Sequence, residues 1–197
     1  MSTESQFLEQ FIQHFKETIK LNESEEDLIV SNSEVYFFKK KSFILQPGDV
    51  SHYMRYIAKG SVRVYQIDLD GQEHTLQLGI ENWWVNDLYS YLSGKESKMF
   101  IQAVEETVLV QVDKTKLEML LQHIPHLSNF FRIKLQNAYV VLQERTVENL
   151  SMDSYEKYTK FRKEYRILEQ RFPQYIIASY LGMTPQFLSY LRKKHSI

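Results

Sequence analysis

The chain has 197 residues, with 24 Lys and Arg against 25 Asp and Glu for a formal net charge of −1, and its 43% hydrophobic and 14% aromatic content suffices for one large packed domain or two small ones. The absence of cysteine excludes disulfides, thiolate nucleophiles, zinc ribbons and Cys-ligated iron-sulfur clusters. No uninterrupted apolar run approaches the roughly 20 residues that span a bilayer, and Met1 to Gln10 has neither the basic nor the apolar segment of a secretory leader, so the expectation is a soluble cytoplasmic protein without membrane contact.

Residues 4 to 21 place Phe7, Leu8, Phe11, Ile12 and Phe15 on one side of an amphipathic helix, and Glu23 to Val30 form a second, shorter one. The pattern then changes to period two. Short β-type runs follow at Val35–Phe38, Ser42–Leu45, Arg55–Ala58, Ser61–Leu69, His74–Leu78, Met99–Val104 and Thr107–Val112, separated by turn residues at Pro47-Gly48-Asp49, Lys59-Gly60, Asp70-Gly71 and Ser93-Gly94. Asp70-Gly71 predicts a type I′ hairpin turn, and many short strands at this spacing indicate a sandwich, barrel or jelly roll.

Lys114 to His123 resumes a helical pattern, and Leu127 to Leu150 reads as one long helix of about six turns. Along it Phe131, Leu135, Ala138, Leu142, Arg145 and Asn149 alternate by four and three, the heptad seam of a coiled coil with two polar breaks near its end. That stripe would pair two copies of the chain; packing on the chain's own β-domain has the same periodicity and stays open. Ser151 to Ser154 form a hinge, and Tyr155 to Gln170 a charged helix with Tyr158, Phe161, Tyr165 and Leu168 on its buried side.

Residues 174 to 194 read as two short helices across a tight turn. The first ends at Gly182, which accepts the left-handed backbone that redirects the chain. Thr184 then caps a second helix and Pro185 suits its first position, where no N–H is needed. Ala178, Ile177, Leu181, Leu188 and Leu191 are spaced to fill the wedge between the two, while Gln186, Ser189, Tyr190 and Lys193 share one outer stripe able to hydrogen-bond in a major groove. From Tyr155 onward nine basic residues face three acidic ones, a balance of +6 that leaves −7 on the rest: an acidic body with a basic end.

This order of parts resembles the Crp/Fnr family of bacterial transcription regulators over nearly the whole chain. Residues 43–49 (FILQPGD), 56–64 (YIAKGSVRV) and 70–73 (DGQE) look like the first strands and hairpins of that family's cyclic-nucleotide-binding-type roll; residues 177–182 (IASYLG) and 188–194 (LSYLRKK) look like its compact C-terminal unit without a β-wing. The resemblance implies an α+β fold: a β-roll or jelly-roll effector domain over 1–126, a dimerisation helix over 127–150 and a helix-turn-helix DNA-binding domain over 151–197. It implies double-stranded DNA and a second copy of the chain as partners, with RNA polymerase left open as a third. Thr184, Pro185, Gln186, Ser189, Tyr190, Arg192 and Lys193 would meet DNA. Gln186 suits adenine and Ser189 either base type, whereas Tyr190 stands where the family commonly has a guanine-reading arginine and cannot make that bidentate contact.

The effector site departs from the family. Its Gly-Glu pair falls here on Asn86-Asp87 and its Arg-Ser pair on Ser97-Lys98, so no arginine stands at the phosphate position. A lysine lacks the bidentate fork, which argues against cyclic AMP and leaves an unknown small molecule, or none, as effector. Trp83 and Trp84 read as core filler. No cofactor is expected. His123 and His126 lack a third ligand for a metal, no catalytic fingerprint is present, and Glu25-Glu26 and Glu105-Glu106 read as solvated charge, so an enzyme is not expected. The alternative is a ligand-binding or protein-interaction module whose terminal helix pair docks a partner other than DNA.

Overall fold

The computed structural model describes residues 3–194; residues 1–2 and 195–197 lie outside it. Two helices open the chain, α1 (Thr3–Lys16) and α2 (Glu23–Ser31), the second closed at its start by a capping box between Asn22 and Glu25. The roll comprises β1 (Glu34–Phe38), β2 (Phe43–Leu45), β3 (Tyr53–Lys59), β4 (Val62–Ile67), β5 (Glu73–Gly79), β6 (Trp84–Val85), a short α3 (Leu88–Ser93), β7 (Phe100–Ala103) and β8 (Thr107–Asp113). These strands pair antiparallel into two sheets of order β1-β8-β3-β6 and β2-β7-β4-β5.

Alternation sorts the side chains of β3. Ile57 points into the roll with Leu45, Val62, Val64, Val85, Ile101 and Leu109, while Met54, Tyr56 and Ala58 point outward to the helices. On that outer face α1 lays down Phe11, Ile12 and Phe15, and Phe15 meets Phe130 at a ring separation of 4.6 Å. Trp84 joins this cluster, as its reading as core filler required; Trp83, at the turn before β6, remains partly exposed.

The β4–β5 turn differs from expectation. Gly71 has φ +81°, but Asp70 is not among the residues of positive φ, so the turn is not type I′. Gly71 N–H donates to the Asp68 carbonyl, and the Asp68 carboxylate accepts from the N–H groups of Asp70 and Gln72. That aspartate supplies the loop's hydrogen bonds, and only the glycine has to be left-handed.

After the roll come α4 (Lys114–His123) and α5 (Pro125–Ser151), separated at Ile124, then α6 (Ser154–Glu164), α7 (Arg166–Arg171), α8 (Gln174–Tyr180) and α9 (Pro185–Lys194). The expected single helix over 155–170 is two, broken at Tyr165 (φ −123°, ψ 42°). The break swings Glu169 back, so that its carboxylate accepts from the Tyr158 hydroxyl at 2.6 Å and from Arg162 Nε at 3.1 Å. Tyr158, Phe161, Leu168 and Phe172 then bury together with α8 and α9, while Tyr165 stays partly exposed beside them.

Candidate nucleic-acid interface and effector pocket

The terminal helix pair closes by the Schellman pattern. Gly182 sits at φ +71°, Met183 N–H reaches the Ala178 carbonyl at 2.9 Å and Gly182 N–H that of Ser179 at 3.2 Å. Thr184 Oγ1 accepts from Phe187 N–H at 3.2 Å, capping α9, and Pro185 is the first helical residue. Ile177, Ala178, Leu181, Leu188 and Leu191 are all buried in the wedge. Gln186, Ser189, Tyr190, Arg192 and Lys193 are exposed along α9. Tyr190 stacks on Phe187 with ring centroids 6.2 Å apart, an aromatic pair on that face. A cleft between α6 and α7 is lined by Thr159, Arg162, Lys163, Arg166 and Glu169.

The helix pair is held to the roll by named polar contacts. Ser179 Oγ, on α8, accepts from Thr75 N–H at 2.9 Å and donates to the Glu73 carbonyl at 2.7 Å. Arg171 pairs with both Glu81 and Glu105, which holds its guanidinium firmly charged. Glu105 is therefore half of an ion pair and not simply solvated, and Glu26 likewise meets Lys16.

Arg145 is the largest departure from the expected seam on α5. It turns toward the chain's own body, donating to the carbonyls of Leu76, Thr75 (2.9 Å) and Tyr180 (2.6 Å) and stacking 3.9 Å from the Tyr180 ring centre. Its charge is satisfied there by carbonyl dipoles, so it is not available to a second helix. Phe131 likewise packs inward, 5.2 Å from Trp84. Leu135, Ala138, Leu142 and Asn149 are exposed, together with Tyr139 and Leu150.

Of the residues of the expected effector pocket, Asp87 and Ser97 meet. Asp87 is buried, caps α3 by accepting from Ser90 N–H, and takes the Ser97 hydroxyl at 2.6 Å. Lys98 is exposed and does not join them. Asn86 faces a different partner: its Oδ1 accepts from Ser51 Oγ and from Arg55 Nη1, each at 2.8 Å. Arg55, on β3, was not picked out from the sequence. A charge inside a β-type run reads as the solvent face, yet Arg55 is 3% exposed. Burial pulls its pKa down to about 10, which still leaves it protonated at neutral pH.

His123 and His126 do not converge on a common point: His123 Nδ1 contacts the Met119 carbonyl at 2.8 Å, while His126 lies 3.5 Å from Glu25. Among the described residues no cluster of three metal-ligating side chains occurs, and no helix is long and apolar enough to cross a membrane.

Residues 35–123 match the model of the cyclic nucleotide-binding domain family. No curated protein matches the chain. Among solved structures it is similar to CLP, a c-di-GMP responsive global regulator of Xanthomonas campestris, at 13% identity over 89% of this chain and 92% of that one, with a TM-score of 0.73. FixK2 from Bradyrhizobium japonicum matches at 14% identity over 83% and 85% of the two chains, with a TM-score of 0.72. A transcriptional regulator of the Crp/Fnr family from Eubacterium rectale matches at 15% identity over 89% and 84%, with a TM-score of 0.69. The chain therefore joins a cyclic nucleotide-binding-type β-roll to a helix-turn-helix unit, in the fold of the Crp/Fnr transcription regulators.

Proposed function

We propose that the protein is a dimeric, sequence-specific DNA-binding transcription regulator whose effector domain does not respond to cyclic AMP. The observation that carries the reading is the exposed polar stripe of α9, set by the Gly182 turn and the Thr184 cap on the outside of a buried wedge. Gln186 and Ser189 would read base edges, and Arg192 and Lys193 would hold phosphates, all four being exposed on α9.

Dimerisation through α5 is supported by apolar side chains that the chain itself leaves uncovered: Leu135, Tyr139, Leu142 (60% exposed) and Leu150. Leu135, Tyr139 and Leu142 keep the four-and-three spacing and Leu150 lies eight residues further on; Ala138 and Asn149 are exposed beside them, and Arg145 is turned toward the chain's own body. Loss of the cyclic AMP response is supported at Asp87, whose carboxylate is held by Ser90 and Ser97, and at Lys98, which is exposed and does not join them. The stacked pair Phe187 and Tyr190 favours the second reading, a protein partner on the same face.

Titration with arbitrary duplex DNA at several salt concentrations separates the two. A DNA binder shows affinity that falls with log salt at a slope of about −0.9 per phosphate contacted, even without its cognate site. Gln186→Ala is expected to relax sequence preference, and Lys193→Ala to weaken all sequences alike and flatten the slope by about 1. Absence of salt-dependent binding to any duplex refutes the DNA reading; micromolar binding of cyclic AMP refutes the effector reading.

A further inference from the structure

Two arginines are buried in the roll, and they are satisfied differently. Arg63, 4% exposed on the outer face of β4, uses all three nitrogens: Nε and Nη2 donate to Gln102, and Nη1 and Nη2 to the Glu73 carboxylate. Arg55 lies on the inner face of β3, between Val85 of β6 and Gln111 of β8. Its hydrogen bonds all come from one nitrogen, Nη1, which donates to Ser51 Oγ at 3.0 Å, the Tyr53 carbonyl at 3.1 Å and Asn86 Oδ1 at 2.8 Å. Its Nε is buried with no hydrogen-bond partner, and among the described residues Nη2 donates to nothing and no carboxylate forms an ion pair with the group.

The edge left without partners is the chemically informative one. Nε–H and Nη2–H of a guanidinium point in parallel, the fork that meets the two oxygens of a carboxylate or phosphate. Three hydrogen bonds and the Tyr53 ring, 5.6 Å from Cζ, offset part of the burial of Arg55 but supply no opposite charge, and a bound counter-charge is the usual remedy. Ser51, Tyr53 and Asn86 hold the opposite edge, so the fork has a fixed direction before anything binds. Ser51 is fixed in turn, its N–H donating to Ser90 Oγ at 2.9 Å.

We infer that Arg55 is the anion-holding residue of the roll, its free Nε–Nη2 edge taking a carboxylate or phosphate group of a small-molecule ligand. The positive charge that a Ser97-Lys98 segment would have to supply enters the roll from β3 instead. Because the Asp87 carboxylate is engaged with Ser90 and Ser97, the ligand is recognised through its anion and not through a hydroxyl held by that residue. The inference is independent of DNA binding and stands or falls without it.

The test is NMR of the ¹⁵N-labelled full chain, following the arginine Nε–H resonances during titration with inorganic phosphate and, separately, acetate, at constant ionic strength against sodium chloride. The resonance missing from the Arg55→Lys spectrum is expected to shift saturably with one of the two anions and not with chloride; the anion that saturates at lower concentration decides between phosphate and carboxylate. That anion is also expected to raise the melting temperature of the wild type and leave that of Arg55→Met unchanged. A resonance that moves with neither anion, or an Arg55→Met variant stabilised as much as the wild type, overturns the inference. If Arg55→Met does not fold, the wild-type titration decides alone.

Discussion

On its β1-β8-β3-β6 face the roll meets α1, α4 and the start of α5 through rings packed at tilted and edge-on angles, Phe11, Phe15, Tyr56, Trp84 and Phe130, whereas on its β2-β7-β4-β5 face it meets α6 to α9 through Leu78, Ile80 and Val104 surrounded by Ser179, Arg145 and Arg171. The first contact is apolar burial with no substitute in water. The second joins an apolar patch to a rim of hydrogen bonds and ion pairs, and water can replace the polar part at a net cost of about 1 kcal/mol per contact. The ring-packed face is therefore the stronger contact, and the second face, where Leu78, Ile80 and Val104 share one core with α6 to α9 inside a polar rim, is the weaker one.

The largest expected effect lies on the apolar side. Phe130 is fully buried at the junction of α1, β6 and α5, and Phe130→Ala is expected to lower stability by about 3–5 kcal/mol in urea unfolding. A cost below about 1 kcal/mol would put the two faces on the same footing.

Next in size is a pH dependence seated in the same cluster. His14 is 3% exposed, its Nε2 accepts from Trp84 Nε1 at 3.2 Å, and Glu17 lies 3.3 Å from its Nδ1. Burial, with Lys134 adding to it and Glu17 opposing, lowers its pKa from 6.5 to about 4. The unfolded chain thus takes up a proton here before the folded one does. The stabilisation is complete above pH 6.5, falls as pH drops through 6.5 and is gone below about 4, a loss of about 3 kcal/mol. Chemical denaturation across this range, compared with His14→Phe, which cannot titrate, measures the His14 share as the difference in slope.

Arg145→Met tests the polar side. Three carbonyls lose a donor but gain access to water, so global stability is expected to fall by only about 1–2 kcal/mol. Hydrogen exchange localises the change: faster exchange at Thr75, Leu76 and the α8 amides, with the amides of β3 and β8 unchanged, is the signature of the roll and the helix pair separating. Uniform acceleration across both would mean that the polar contacts are part of one cooperative core.

Much of this division was legible in the sequence. Phe11 and Phe15 on an amphipathic stripe, the Gly182 turn, the Thr184 cap and the apolar wedge are local signals, and each is set within a few residues of itself. The roll's strands were located by alternation, apart from β6, whose two residues are too few to show a period. The orientation of α5 was not legible. Residues 138 and 139, or 145 and 146, continue a heptad equally well, and the choice was made by carbonyls of β5 and α8 far away in the chain. Arg55 escaped for a related reason: an arginine in a strand ordinarily marks the wet face, and only the pairing of β3 with β6 and β8 turns it inward.

The smallest effect on stability is expected at Tyr190, which belongs to neither face of the roll. It is 53% exposed and touches Phe187 and Lys194 on its own helix, so Tyr190→Arg is expected to leave the unfolding midpoint within about 0.5 kcal/mol of the wild type. That insensitivity makes it the cleanest probe of what α9 reads. Arginine restores a bidentate donor on a stripe that otherwise offers Gln186 and Ser189, and duplexes selected from a random pool are expected to gain a guanine at one position of each half-site, worth about 1–3 kcal/mol of discrimination. Because the change adds a charge as well as a fork, Tyr190→Lys is the control: it raises affinity for all duplexes without selecting guanine if the gain is electrostatic. Selected sites that are identical for wild type and Tyr190→Arg would place position 190 outside the groove and turn the Phe187–Tyr190 pair toward a protein partner.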